Sequence, residues 1–154
     1  MLKEIQSKIH TWGSLKNQIE EWKGNGEKVV FTNGCFDILH YGHLHYLAEA
    51  RSLGDRLIVG MNAATSVKRL KGTHRPINDE MTRQHLLAAL VCVDAITTFE
   101  EDTPLELISM LLPDVLVKGG DWQVHQIVGA KEVMDNGGAV KSLQFIDGYS
   151  TSAI

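Results

Sequence analysis

Cysteine is scarce in this chain: Cys35 and Cys92 are the only two among 154 residues. Two thiols cannot form the disulfide framework of a small secreted domain. Both sit in apolar, strand-like stretches, so the expectation is buried free thiols. Long apolar runs are missing as well. None reaches the roughly 20 residues that a bilayer-spanning helix needs. The first ten residues alternate charges with isoleucines instead of forming the apolar centre of a secretory leader, so the expected location is cytoplasmic. Positive charge is not in excess, because 15 Lys and Arg face 19 Asp and Glu for a net charge of −4. Bulk electrostatics therefore give no attraction to nucleic acid or an anionic membrane, and neither is an expected partner. Internal repeats and low-complexity segments are absent too. What remains, 44% hydrophobic and 22% charged residues, is the mix of a globular domain long enough for one well-buried core.

Residues 1–26 read as a helical lead-in. Ile5, Ile9 and Trp12, then Leu15, Ile19 and Trp22, fall at helical spacing, with Thr11 or Ser14 as a cap and Gly24 to Gly26 as a stop. From residue 27 to 154 the pattern alternates. Contiguous apolar strands are expected over 28–32, 56–61, 93–99, 114–117 and 139–145. Helices are expected over 41–53, 63–67, 79–91, 103–112 and 127–136, with another starting at Ser150. Thr103 is the expected N-cap of the 103–112 helix, with Pro104 in its first turn. In the 79–91 helix, Met81, Leu86, Leu87 and Leu90 should face inward. Segment 68–78 reads as a loop carrying Lys68, Arg69, Lys71 and Arg75. This alternation predicts one Rossmann-like α/β domain, with a five-stranded parallel sheet covered by helices on both faces. Ligands of such sheets bind beyond the carboxyl ends of the strands, where the strand order reverses. The unusual residues cluster after the first, second, fourth and fifth strands.

The most informative stretch is Thr32-Asn33-Gly34-Cys35-Phe36-Asp37-Ile38-Leu39-His40-Tyr41-Gly42-His43. It lies where the first strand gives way to a helix. A helix start offers N–H groups and a partial positive charge, which suits a phosphate. Two imidazoles add directed donors at the same place. This pattern points to nucleotidyl transfer. A zinc site on His40, His43 and His45 is not expected, because His45 points away on a helix and no acid or cysteine joins at ligand spacing. His10, His74, His85 and His125 read as structural or surface residues.

The segment Gly34-Cys35-Phe36-Asp37-Ile38-Leu39-His40-Tyr41-Gly42-His43 resembles the defining motif of the cytidylyltransferase-like nucleotidyltransferases. Gly148-Tyr149-Ser150-Thr151-Ser152 resembles their second motif. Val67-Lys68-Arg69-Leu70-Lys71-Gly72, Arg75-Pro76-Ile77-Asn78, Glu100-Glu101-Asp102-Thr103-Pro104 and Leu116-Val117-Lys118-Gly119-Gly120-Asp121, with the Thr32–Asp37 run, resemble one subgroup. That subgroup is the adenylyltransferase domain of bacterial ADP-heptose synthases.

The resemblance implies two substrates, ATP and the sugar 1-phosphate D-glycero-β-D-manno-heptose 1-phosphate, with ADP-heptose for lipopolysaccharide core assembly and pyrophosphate as products. It implies His40 and His43 on the ATP phosphates and Lys68 bridging the phosphates of both substrates. It implies a nucleotide-facing turn of Asn33, Gly34, Cys35 and Phe36, close approach at Gly42, and Arg83 near the phosphates. Lys118, Gly119 and Asp121 would border the nucleotide, Ser150 and Thr151 would bind its β- and γ-phosphates, and Asp37 would brace the turn. Mg2+ would be held mainly by phosphate oxygens and water, with no protein ligand assigned. A homodimer is implied, although no long apolar seam marks one. Departures from the wider family are Cys35, where threonine or serine is common, and Phe145-Ile146-Asp147, where glycerol-3-phosphate cytidylyltransferases carry an arginine. Two other readings stand beside this one: a cytidylyltransferase acting on another small phosphorylated acceptor, and a non-catalytic nucleotide-binding module. Trp122 could stack near the base or cover the core.

Overall fold

A computed structural model describes residues 1–149. Its five strands are β1 (Val29–Gly34), β2 (Arg56–Asn62), β3 (Ala95–Phe99), β4 (Val115–Gly119) and β5 (Ala139–Leu143). All pair in parallel, in the order β3-β2-β1-β4-β5. Alternate residues of each strand face opposite sides of the sheet, which sorts the core into two layers. Val29 and Phe31 pack with Leu15, Ile19 and Trp22 of α2 (Trp12–Gly24) and with Leu107, Ile108 and Leu111 of α6 (Leu105–Leu111). Val30 faces the other way, with Tyr46 and Leu47 of α3 (Tyr41–Ser52) and Leu87 of α5 (Glu80–Ala88). The remaining helices are α1 (Leu2–Gln6), α4 (Ala64–Lys71) and α7 (Ala130–Asp135), with a 3-10 turn over Val124–Gln126. The Rossmann-like architecture and the helices on both faces agree with the sequence pattern.

The lead-in shares this core. Thr11 caps α2 by accepting from the Ser14 N–H, and α2 lies on β1 and α6. Just before it, the chain runs along the outer edge of β3. The Ile96 N–H donates to the Lys8 carbonyl, and the His10 N–H donates to the Ile96 carbonyl, both at 2.8 Å. That bridge covers an edge otherwise open to pairing.

Several boundaries move relative to the sequence expectation. α4 continues through Lys68, Arg69 and Lys71, residues expected in a loop. α5 turns Arg83, Leu87 and Ala88 inward, while Met81 and Leu86 are exposed and Leu90 is partly buried. Arg83 and Leu87 are one helical turn apart on the same face, and an inward arginine is not what an apolar pattern predicts. α6 starts at Leu105 with Pro104 as its N-cap residue, and Thr103 sits one position earlier. The 127–136 helix is shortened to α7.

At the amino ends of the strands an aspartate precedes each neighbour and ties two strands together. Asp55 accepts from the Lys28 N–H, Asp114 from the Val29 N–H and Asp94 from the Leu57 N–H, at 2.7–2.8 Å. Each also donates its own N–H to the carbonyl of the same residue. Asp94 further accepts from Arg51 Nε at 3.0 Å and Arg56 Nη1 at 3.4 Å. Removing this carboxylate orphans a part-buried N–H and two guanidinium contacts. Asp94→Ala should cost about 2 kcal/mol, read as a lower urea midpoint. The carboxyl ends of the strands are remote from it, so ligand binding by the folded variant should be unchanged in calorimetry.

Candidate active site where β1 and β4 part

β1 pairs with β2 at six positions but with β4 at only two, Val30 with Val115 and Phe31 with Leu116. Beyond Phe31 a side chain replaces the ladder. The buried Thr32 hydroxyl donates to the Val117 carbonyl at 3.0 Å. Its single hydrogen is then used, so the Tyr46 hydroxyl, 2.6 Å away, donates to Thr32. Burial pushes the Tyr46 phenol up to about 12, only partly offset by the Thr32 bond, which keeps it a donor. The strand order reverses between β1 and β4, and the opening sits there, as the switch-point rule requires.

Two lobes share the walls Asn33, Gly34, Cys35 and Lys118. The first, about 310 Å³, extends toward Asn62, Leu70, Thr103, Trp122 and Gln126. The second, about 210 Å³, extends toward Phe36, His43, Tyr46, Lys71, Gly119 and Phe145.

His40 is the N-cap of α3. Its Nδ1 accepts from the His43 N–H at 3.4 Å, replacing the usual hydroxyl or carboxylate cap. That assignment puts the ring proton on Nε2 as a donor, although His40 itself lines neither lobe and borders them through His43. The His43 ring stacks on it, with centroids 3.8 Å apart and planes 17° from parallel. Phe36 packs against His43 in a T-shaped contact with centroids 5.3 Å apart. Burial, then the charges of His40 and Lys71, pull His43 down to about 4, so it is neutral near pH 7. Its Nδ1 is buried without a partner among the described residues. Gly42 is required by what surrounds it: a Cβ there would sit 2.7 Å from Tyr149 Cβ and 3.0 Å from the His40 ring.

The turn between β1 and α3 is held from beneath. Phe36 has φ 46°, a left-handed backbone uncommon outside glycine, and its ring lies where a Cβ on Gly34 would be, at 2.8 Å. The buried Asp37 carboxylate accepts from the Ile77 and Asn78 N–H groups and from Arg75 Nη1. Burial opposes its ionisation, but these donors outweigh burial and hold the carboxyl below its ordinary range. Arg83, 1% exposed, is a second strut. Its guanidinium donates to the carbonyls of Asn62 at 2.7 Å, Cys35 at 3.1 Å and Asn78 at 3.3 Å.

The structure therefore brings together Asn33, Gly34, Cys35, Phe36, His40, Gly42, His43, Lys118 and Gly119. Arg83 lies below the turn, wired to backbone carbonyls. Cys35 is half-buried just past β1 and lines both lobes, so the expectation of a buried thiol applies to Cys92 and not to Cys35. Lys68 is exposed on α4 and lines neither lobe, whereas Lys71, one turn on, faces His43. Sequence reasoning placed Lys71 in the basic cluster but singled out Lys68, because it ended α4 one turn short. Arg69 and Arg75 pair with Asp102 and Asp37. Asp121 is exposed outside both lobes. Trp122 lines the larger lobe, donating to the Gly119 carbonyl at 3.1 Å beneath the Lys118 ammonium. Ser150 and Thr151 lie outside the described residues. Among the described residues no group of three His, Cys, Asp or Glu side chains is placed to hold a metal, and no helix is long and apolar enough to cross a membrane.

Comparison with known proteins accords with this geometry. The bifunctional protein HldE of Haemophilus ducreyi is 60% identical over 146 residues, which is 95% of this chain and 31% of that protein. The bifunctional protein HldE of Pectobacterium atrosepticum is 56% identical over 146 residues, 95% of this chain and 30% of that protein. The chain thus spans less than a third of the length of these relatives. The crystal structure of the lipopolysaccharide core biosynthesis protein from Thermoplasma volcanium superposes with a TM-score of 0.64 at 31% identity, over 81% of this chain and 100% of that one. Pantoate-beta-alanine ligase from Francisella tularensis, at 13% identity and a TM-score of 0.58 over 88% of this chain and 66% of that one, shares the fold alone. A cytidylyltransferase-like family model matches residues 31–154. With the histidine pair, the parted strands and this match in agreement, the chain belongs to the cytidylyltransferase-like family.

Proposed function

We propose that the chain transfers AMP from ATP to a sugar 1-phosphate of the heptose type, giving an ADP-sugar and pyrophosphate. The observation that carries this reading is the stacked His40–His43 pair at the start of α3, set in the gap between β1 and β4. The match to bifunctional HldE proteins and to a lipopolysaccharide core biosynthesis protein supports D-glycero-β-D-manno-heptose 1-phosphate as acceptor and lipopolysaccharide core assembly as the purpose.

An acceptor phosphate oxygen attacks the α-phosphorus in line. Its new P–O bond forms as the bond from that phosphorus to the bridging oxygen breaks, and the electron pair leaves with pyrophosphate. The chain supplies position and charge stabilisation and no covalent intermediate. His40 Nε2–H donates to the phosphoryl oxygens where negative charge grows. His43, neutral and packed against His40 and Phe36, donates from the same side. The Tyr41 and Gly42 N–H groups of the first turn of α3 lack intrahelical acceptors and are left for the same charge, since the His43 N–H is taken by His40. Lys71 and Lys118 both line the lobe and bring cations to it. The triphosphate enters as its magnesium complex. The Asp37 carboxylate is already engaged by Arg75 and the backbone, so that ion would be held mainly by phosphate oxygens and water as part of the substrate. Ser150 and Thr151 complete the proposed contacts to the β- and γ-phosphates.

Pyrophosphate release with ATP or CTP against a panel of sugar phosphates tests the reading. Turnover with ATP and a heptose 1-phosphate is expected. Turnover with CTP alone would make the chain a cytidylyltransferase, and nucleotide binding without turnover would make it a binding module. His43→Ala should lower kcat about 100-fold or more while circular dichroism shows a folded domain; near-normal turnover would remove His43 from the chemistry. Lys71→Ala should cost more activity than Lys68→Ala in the same assay, because only Lys71 lines the lobe that holds His43. A pH signature follows from His43. Unfolded, it titrates near the usual 6.5; folded, near about 4. Across that window the unfolded chain binds more protons, so stability rises with pH there and is lost as pH falls from 6.5 toward 4. His43→Gln should flatten this part of the urea-midpoint profile.

A further inference from the structure

We propose that Phe145 is the stacking platform for the nucleobase and that it favours a purine. The inference rests on the nucleotidyl-transfer reading and deepens it. Phe145 is 52% exposed, two residues beyond the end of β5, yet it is not loose on the surface. The tip of its ring comes so close to Gly119 that any Cβ at that position would overlap it. Tyr46 backs it at 5.4 Å between centroids, with planes tilted by 42°. His43, Gly119 and Phe145 line the same small lobe. A nucleotide whose phosphates reach His43 therefore meets, in that lobe, an exposed aromatic ring beside a side-chain-free stretch of strand.

The size of the lobe agrees. At about 210 Å³ it falls below the roughly 300 Å³ at which sites for whole small ligands begin, so the β- and γ-phosphates extend beyond it. The backbone around the platform is committed: Trp122 Nε1 occupies the Gly119 carbonyl, and the Gly120 N–H donates to the Leu143 carbonyl. The segment Phe145-Ile146-Asp147 carries no cation to read a base edge. Recognition by Phe145 is then a matter of ring overlap, which is greater for a purine than for a pyrimidine.

The test is isothermal calorimetry on the full chain with ATP, CTP and inorganic tripolyphosphate, for the parent, Phe145→Ala and Phe145→Tyr. Phe145→Ala should weaken ATP about 10-fold to 100-fold, weaken CTP less, and leave tripolyphosphate within about twofold. Phe145→Tyr, which keeps the ring, should retain ATP binding. An equal loss for tripolyphosphate and ATP, or no loss for ATP, overturns the platform while leaving nucleotidyl transfer standing. A parent chain that binds neither ATP nor tripolyphosphate overturns both.

Discussion

At Thr32 a parallel ladder gives way to a side chain. Above Phe31 and Leu116 the two central strands stop sharing backbone hydrogen bonds, and a buried polar group left unpaired there would be costly. The Thr32 hydroxyl takes the Val117 carbonyl, and Tyr46 completes the hydroxyl. This relay keeps the strands apart at a fixed width while sealing the base of the gap. Both lobes and the turn that divides them depend on that width. Tyr46 comes from α3, so the helix that presents the histidines is tied to the floor of the opening it serves.

The histidine pair shows a second constraint. Two imidazoles stacked at 3.8 Å cannot both carry charge at small cost in a partly desolvated place. The arrangement favours a neutral His43, and the cap fixes His40 Nδ1 as an acceptor. Positive charge is supplied instead by lysines at the margins, where water still reaches them. The chain separates directional donation from net charge, and an anion attracted by the second is aligned by the first.

Much of this was readable from the residues. Runs such as Leu57-Ile58-Val59 mark doubly covered strands, and a strand leading into His40-Tyr41-Gly42-His43 marks a phosphate-facing helix start. Other parts were hidden for physical reasons. Lys68 and Lys71 are distinguished only by the end of α4, and helix ends are set by tertiary contacts that propensity does not encode. Arg83 defies the pattern because its guanidinium is held by three carbonyls, two of them from segments distant in sequence, with Nη2 buried and unpartnered among the described residues. Gly42 was legible as a close approach, but its partners, Tyr149 and the His40 ring, come from folding. Cys35 looked like part of a buried strand because β1 runs out just before it.

Arg83 and Asp37 together pin the segment from Arg75 to Asn78, and Arg83 also reaches the ends of β1 and β2. Between Lys71 and Arg75 the chain is exposed and free of such anchors, and a Cβ on Gly72 would meet nothing within 4 Å. Insertions or deletions at residues 72–74 would therefore be absorbed locally, because the fastening on their far side resets the path before it reaches the cleft. A lineage can vary the outer rim of the opening there without disturbing its floor, and relatives with altered acceptors should differ in length at this bend.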